Sequence, residues 1–321
     1  MKFKRLLGAL AACVLFTPMA FAQHFPSKPV RIVVPFGAGG VADVTARVVA
    51  QKMGESLGQP VVIDNRPGAG GIVAGDAVAK AAPDGYTLLL MSNGTAVSEG
   101  LFKSLPFKAQ EAFAPISTLG YFDLAVVAAA NARFKTFAEL LAHARANPGK
   151  VNLGSINIGS TQHLTAELFK ATAGVEVQII PYNGTPAVVT ALRGGQIDAA
   201  VEIVAPVLTQ IQSGALRALA VTSDKRAAVL PEVPTTREAG LPGYVARSWN
   251  ALAAPAKTPA PVIARLNQEI VAALNSPEVK KKLQDLNVDA QSSTPQEASA
   301  LLVSEIKRWG DVIKAARIEP Q

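Results

Sequence analysis

Val30-Arg31-Ile32-Val33-Val34-Pro35-Phe36-Gly37-Ala38-Gly39-Gly40-Val41-Ala42-Asp43 is a β-branched run that ends in a glycine-rich turn and opens into a helical pattern. An apolar run without polar alternation suits a strand buried on both faces, and the apolar spacing over 42–57 suits a helix that covers one of them. The unit then repeats, with 60–64 reading as strand, 72–81 as helix and 86–91 as strand. This alternation predicts a mostly parallel sheet with helices on both faces.

A second set follows. Residues 124–130 form an apolar run, 136–146 a helix, 151–155 a strand, 160–173 a helix and 177–181 a strand. Next come helix 186–194, strand 199–204, a short helix 208–213 and strand 218–222. After a proline-rich passage, 249–254 is apolar, and 259–274, 277–286 and 295–315 read as helices entered through proline. These last helices have no strand of their own, so they are expected to pack on the first sheet. The economical architecture is two α/β lobes. The first is discontinuous, 23–124 plus 248–321, and the second is 125–247, with the two crossings near 124–130 and 248–254.

Length and composition agree. A chain of 321 residues, 49% hydrophobic and 17% charged, can bury about two domain cores and is neither a disordered polyelectrolyte nor a coiled coil. The formal charge of +7 is partly local. A basic start at Lys2, Lys4 and Arg5, an apolar segment and Ala20-Phe21-Ala22 form a secretory signal peptide over 1–22, too short in its apolar part for a lasting membrane anchor. Leu10-Ala11-Ala12-Cys13 also resembles a lipoprotein cleavage site, a weaker reading because apolar sequence continues past Cys13. Cleavage before Gln23 leaves 28 basic against 24 acidic residues and no cysteine, so thiol chemistry and disulfides are excluded from the mature chain. The Lys280-Lys281-Lys282 run sits in a helical pattern as a solvated face, which leaves nucleic-acid binding without support. The expected compartment is the periplasm.

Three loops at carboxyl ends of strands are the candidate site. Gly37-x-Gly39-x-x-Ala42 matches a dinucleotide fingerprint, with Asp64 where a ribose-binding acid would sit, but Asp43 in the first helical turn would crowd a pyrophosphate. A glycine loop before a helix N-terminus equally favours a carboxylate, or serves only tight strand–helix packing. The loop from Gly154 through Ser155 to Gly159-Ser160-Thr161-Gln162-His163 repeats the arrangement, and Ser92-Asn93-Gly94-Thr95 gives a third polar loop. Ser160 and His163 on one helix are a candidate hydrolase pair, although no acid to orient the histidine is evident and no Gly-x-Ser-x-Gly elbow is present. No His/Asp/Glu group has metal-ligand spacing. Asp198 reads as a turn residue entering a strand, whereas Glu202 lies inside an apolar strand, where burial requires a partner such as a ligand cation or an arginine.

These residues, in order, resemble the Bug family of periplasmic solute-binding proteins, the receptors of tripartite tricarboxylate transporters. The resemblance rests on the 35–43 loop with Ala46-Arg47, then Asn65-Arg66-Pro67-Gly68-Ala69-Gly70-Gly71 and Pro83-Asp84-Gly85-Tyr86. It continues through Gly159-Ser160-Thr161, Pro181-Tyr182-x-Gly184, Gly195-Gln196-Ile197-Asp198, Leu216-Arg217-Ala218-Leu219 and Ala254-Pro255-Ala256-x-Thr258-Pro259. The resemblance implies a type II periplasmic-binding-protein fold whose lobes are joined by a two-strand hinge. It also implies a monomer without cofactor or metal that closes on a small carboxylated solute and presents it to membrane transporter subunits or a signalling partner. The implied ligand contacts are Phe36, Gly39, Gly40, Val41 and Asp43 in the first lobe and Ser155, Ser160, Thr161 and Gln162 in the second. Ser92 and Asn93 come from the third loop, and Tyr182, Gly184 and Glu202 are implied as walls. Asn183 and Ile203 depart from the basic and polar residues usual in the family, so the far end of the pocket is expected to be particular to this chain. The competing classes are an exported hydrolase using Ser160 and His163, and a non-binding structural protein of the envelope.

Overall fold

The computed structural model describes residues 25–320; the signal peptide, Cys13 and His24 lie outside them. The opening stretch forms strand β1 (Val30–Val34) and helix α1 (Val41–Leu57), followed by β2 (Val61–Asn65), α2 (Ile72–Ala79) and β3 (Thr87–Ser92). Next come helices α3 (Asn93–Leu101) and α4 (Ala109–Ala112), then the long strand β4 (Phe113–Ala129). The second set is α5 (Phe137–Ala146), β5 (Asn152–Ile156), α6 (Thr161–Ala173), β6 (Gln178–Tyr182), α7 (Thr185–Arg193), β7 (Ala199–Ile203), α8 (Val204–Gln212) and β8 (Leu216–Val221). Strand β9 (Arg247–Pro255), α9 (Ala260–Asn275), α10 (Pro277–Asp285), β10 (Val288–Ala290) and α11 (Pro295–Ala315) complete the chain.

The strands run in the order β2-β1-β3-β9-β4-β7-β5-β6, with β10 and β8 also paired to β4. Strands β1, β2 and β3 are mutually parallel, as are β5, β6 and β7, while β9 and β4 are antiparallel to their neighbours. Continuous apolar strands follow from cover on both faces. Val30, Ile32 and Val34 enter one core with Leu88, Leu90 and Met53, while Val33 enters the opposite core with Leu89, Met91, Trp249 and Trp309. The second half repeats this, with Leu124 and Val126 on one side and Ala125 and Val127 on the other. The cores built on β1 and β3 also take side chains from the C-terminal helices α9 and α11.

Three elements depart from the sequence reading. Strand β4 begins at Phe113 rather than near Leu124; its first half pairs β9, and its second half pairs β7 and β8. Pro115 and Gly120 are residues a regular strand interior disfavours, and the strand absorbs them through register shifts between Pro115 and Ser117 and between Thr118 and Gly120. A side chain at Gly120 would meet the Asp289 carbonyl oxygen at 2.8 Å, so glycine permits the approach of β10, the strand that the C-terminal region was expected to lack. Helix α3 occupies the stretch read as a polar loop. Ser92 and Thr95 close a capping box at its start, and Gly100 lets it pack within 2.9 Å (measured from a built Cβ) of Ile313 on α11. Tertiary packing thus overrides a glycine cost of about 1 kcal/mol.

The halves meet where β4 and β9 run side by side. Arg247 Nε donates to Asp123 Oδ1 at 2.9 Å across this pair, its Nη2 lies 3.1 Å from Asp289 Oδ2, and the guanidinium covers the Tyr121 ring. Beside it, Glu305 Oε2 on α11 accepts from Trp309 Nε1 at 2.8 Å and Trp249 Nε1 at 3.3 Å.

Candidate functional site

The first loop, 35–40, leaves β1 and enters α1. Gly39 takes φ +84°, a left-handed conformation that L side chains rarely adopt, and Phe36 through Gly40 are exposed. Gly40 is the N-cap and provides no side chain, so the first-turn amides of α1 receive no side-chain acceptor. Asp43 does not fill that role. Its carboxylate turns back into the loop, where Oδ2 accepts from Gly39 N–H at 2.8 Å and Arg47 Nε at 3.0 Å, and Oδ1 accepts from Asn65 Nδ2 at 2.7 Å. Asn65 Nδ2 also donates to the Phe36 carbonyl at 3.0 Å, and Arg47 Nη2 donates to Asn65 Oδ1 at 2.9 Å. Burial alone would raise the Asp43 pKa, but the bonds from Arg47, Gly39 and Asn65 outweigh it and hold the carboxyl below its ordinary value.

The consequence is a loop shaped from within by one carboxylate. Gly39 spends its N–H on Asp43, leaving Gly40 and the first turn of α1 as the free donors. Asn65 and Arg47 form the outer arms of this clamp, a role their place in the sequence motif does not reveal. Asp64, the would-be ribose acid, instead pairs Arg66 at 2.9 Å and Arg31 at 3.4 Å. With that acid occupied by two arginines, the ribose contact of a dinucleotide site is missing.

The second loop leaves β5 and enters α6. Ser160 Oγ accepts from His163 N–H at 3.0 Å and donates to the Ile156 carbonyl at 3.0 Å, so both of its functions are spent on capping. His163 Nδ1 accepts from Gly159 N–H at 3.4 Å, which places the ring proton on Nε2, facing Glu167 Oε1 at 4.0 Å. Glu167 is the acid missing from the sequence reading, four residues farther along the same helix. It completes no relay, because the Ser160 hydroxyl bonds to a carbonyl rather than to the imidazole. Burial pushes His163 down to about 4 and raises Glu167. Thr161 and Gln162 begin α6 and are nearly buried, and Ser155 Oγ, fully buried at the end of β5, has no partner among the described residues.

The third stretch is a helix start with its side chains engaged. Ser92 Oγ accepts from Gly94 N–H at 3.2 Å, and Asn93 Oδ1 accepts from Trp249 N–H at 3.1 Å, tying α3 to β9. Leu101 at the far end of α3 lies where a side chain on Gly159 would stand, 2.1 Å from a built Cβ, so the second loop rests on the first half of the molecule here. Tyr182 closes β6, and Gly184, at φ +92°, starts α7 without a side-chain cap. Glu202 lies one residue before the end of β7. It is fully buried, and its Oε2 accepts from Thr185 Oγ1 at 2.9 Å. Ile203 packs against the same core as Val41 and Ala42, which brings the end of β7 toward the start of α1. Among the described residues no cluster of His, Cys, Asp or Glu could hold a metal ion, and no helix is long and apolar enough to cross a membrane.

Residues 45–318 match the tripartite tricarboxylate transporter family receptor. The chain is similar to protein BugT of Bordetella pertussis, at 38% identity over 98% of each chain. Among solved structures it is similar to the periplasmic binding protein BugD, at 33% identity and TM-score 0.79 over 92% of this chain and 100% of that one. It is similar also to Rpa4515 of R. palustris, solved with adipate, at 33% identity and TM-score 0.82 over 92% of this chain and 100% of that one. The two-lobe periplasmic-binding-protein fold is therefore the fold of this chain.

Two expectations follow from the loops. Asp43→Ala removes the acceptor of the Gly39 amide; hydrogen exchange at Gly39 should accelerate and unfolding free energy should fall by about 1–3 kcal/mol. Unchanged exchange would contradict the internal clamp. His163 has a folded pKa of about 4, below the 6.5 it takes when free, so between these values the unfolded chain binds the proton and the folded chain does not. Stability should fall as pH drops from 6.5 toward 4, and His163→Gln should flatten that slope in urea titrations.

Proposed function

Because the chain belongs to the tripartite tricarboxylate transporter receptor family, we propose that it is a periplasmic receptor that takes a small carboxylate into the cleft between its lobes. The observation that carries this reading is the pair of helix starts. Helices α1 and α6 both begin at carboxyl ends of parallel strands, and α1 begins without any side-chain cap. Free N–H groups and the positive end of a helix favour an anion there. A neighbour of similar sequence, Rpa4515, is described with adipate, a dicarboxylate.

In this reading Gly40, Val41 and Asp43 offer backbone N–H groups, Gly39 shapes the turn, and Phe36 is an apolar wall. The other lobe contributes the Thr161 and Gln162 amides and the Ser155 hydroxyl, with Ser160 as the cap that holds them. Tyr182 and Gly184 line the side. Ser92 and Asn93 act through the start of α3, since their side chains are engaged. The lobes divide as 23–124 plus 248–321 and 125–247, and β4 with β9 forms the hinge between them. Carboxylate binding at both helix starts favours the closed arrangement, which a membrane transporter subunit then recognises. The capping geometry of Ser160 supports a receptor over a hydrolase.

Isothermal titration with adipate and a panel of mono-, di- and amino-carboxylates, joined to small-angle scattering, tests the proposal. The expected result is saturable binding of at least one acid with a smaller radius of gyration. Binding without compaction would contradict closure, and binding confined to uncharged solutes would contradict the anion site. Absence of any thermal shift across the panel would favour the structural envelope protein.

A further inference from the structure

Four carboxyl side chains among the described residues are buried: Asp43, Glu202, Glu269 and Glu305. Three of them face an arginine, Asp43 with Arg47 at 3.0 Å, Glu269 with Arg265 at 2.9 Å and Glu305 with Arg308 at 3.4 Å. Glu202, the most deeply buried of the four at 0% exposure, has no cation beside it. Its Oε2 accepts from the Thr185 hydroxyl, the nearby Gln162 side chain and Ile203 N–H favour its charged form, and its Oε1 has no partner among the described residues. Helices α7 and α8 start on either side without side-chain caps, so among the described residues the positive potential at Glu202 comes from the partial charge of helix ends.

A buried carboxylate with one empty oxygen and no counter-charge is costly, and a group that supplies a donated hydrogen bond and a positive charge relieves it. Every donor already placed around Glu202 presents it as an acceptor. Gln162 links it to the candidate anion site, because its side chain reaches Glu202 while its backbone lies in the first turn of α6. Gln162 thus stands between the candidate anion site and Glu202. We propose that Glu202 is a specificity-determining residue that selects a carboxylate ligand carrying a protonated amine at its other end, the ammonium donating to Oε1. This rests on the carboxylate-receptor reading and names the substrate class within it. Burial holds the unliganded Glu202 carboxyl at about 7, so it is partly neutral near neutral pH and ionises when the ammonium arrives.

The test is isothermal titration with two matched sets: hexanoate, adipate and 6-aminohexanoate, then butyrate, succinate and 4-aminobutyrate. Titrations at pH 7 in buffers of different ionisation heat count protons. The expected result is that an amino acid of one set binds at least about tenfold tighter than its methyl and carboxylate analogues. It should also release about half a proton per site, as an acid half-ionised before binding requires. The nearly isosteric Glu202→Gln should lose both the preference and the proton release while still binding the monocarboxylate. An unchanged melting temperature and circular dichroism spectrum show that this variant is folded. If dicarboxylates bind equally or more tightly, take up a proton, or bind identically to both proteins, the proposal is overturned while the carboxylate receptor stands. If no probe binds either protein, both readings fall together.

Discussion

A single strand serves two sheets. Over 17 residues β4 pairs β9 and β10 with its first half and β7 and β8 with its second, so the lobes share a backbone rather than a flexible linker. Hydrogen bonds of a strand to its neighbours leave few ways to move other than bending about the crossing. The Asp123–Arg247 pair sits at that crossing, and the Trp249, Glu305 and Asn93 bonds anchor β9 to α11 and α3 beside it.

The two helix starts differ in how their loops are held. In the first, a carboxylate belonging to the protein stabilises the glycine turn from behind and leaves the helix mouth free. In the second, Ser160 and His163 hold the turn through hydroxyl, backbone and imidazole, with His163 kept neutral by burial. Both devices spend side chains on loop shape, and in the proposed receptor the backbone N–H groups left over are the recognition surface. Backbone donors read charge without reading the rest of a molecule, so discrimination must come from side chains farther in, among them Glu202, a buried carboxyl with an unpaired oxygen and no arginine beside it among the described residues.

Much of this was legible in residue order. Residues 30–57 announced their strand, turn and helix, and the helix expected at 295–315 runs over Pro295–Ala315. What stayed hidden depended on distant partners. The first half of β4 was hidden because the bulges that accommodate Pro115 and Gly120 need β9 and β10 in place. Helix α3 reads as a loop because Gly100 gains its value only against α11. In the site, Asp43 read as a ligand neighbour, yet its carboxylate faces inward, a fact that depends on Asn65 arriving from the end of β2. The burial of Glu202 was suspected from its apolar strand, but the absence of an arginine beside it could be seen only after folding.

The central claim is that backbone amides of two helix starts, one in each lobe, hold a single carboxylate. Amide chemical shifts followed by NMR during a titration with adipate test it directly. The account predicts downfield amide-proton shifts at Gly40, Val41 and Asp43 together with Thr161 and Gln162, all saturating along one binding curve. Shifts confined to one lobe, or saturable binding that leaves all five amides unmoved, would contradict it.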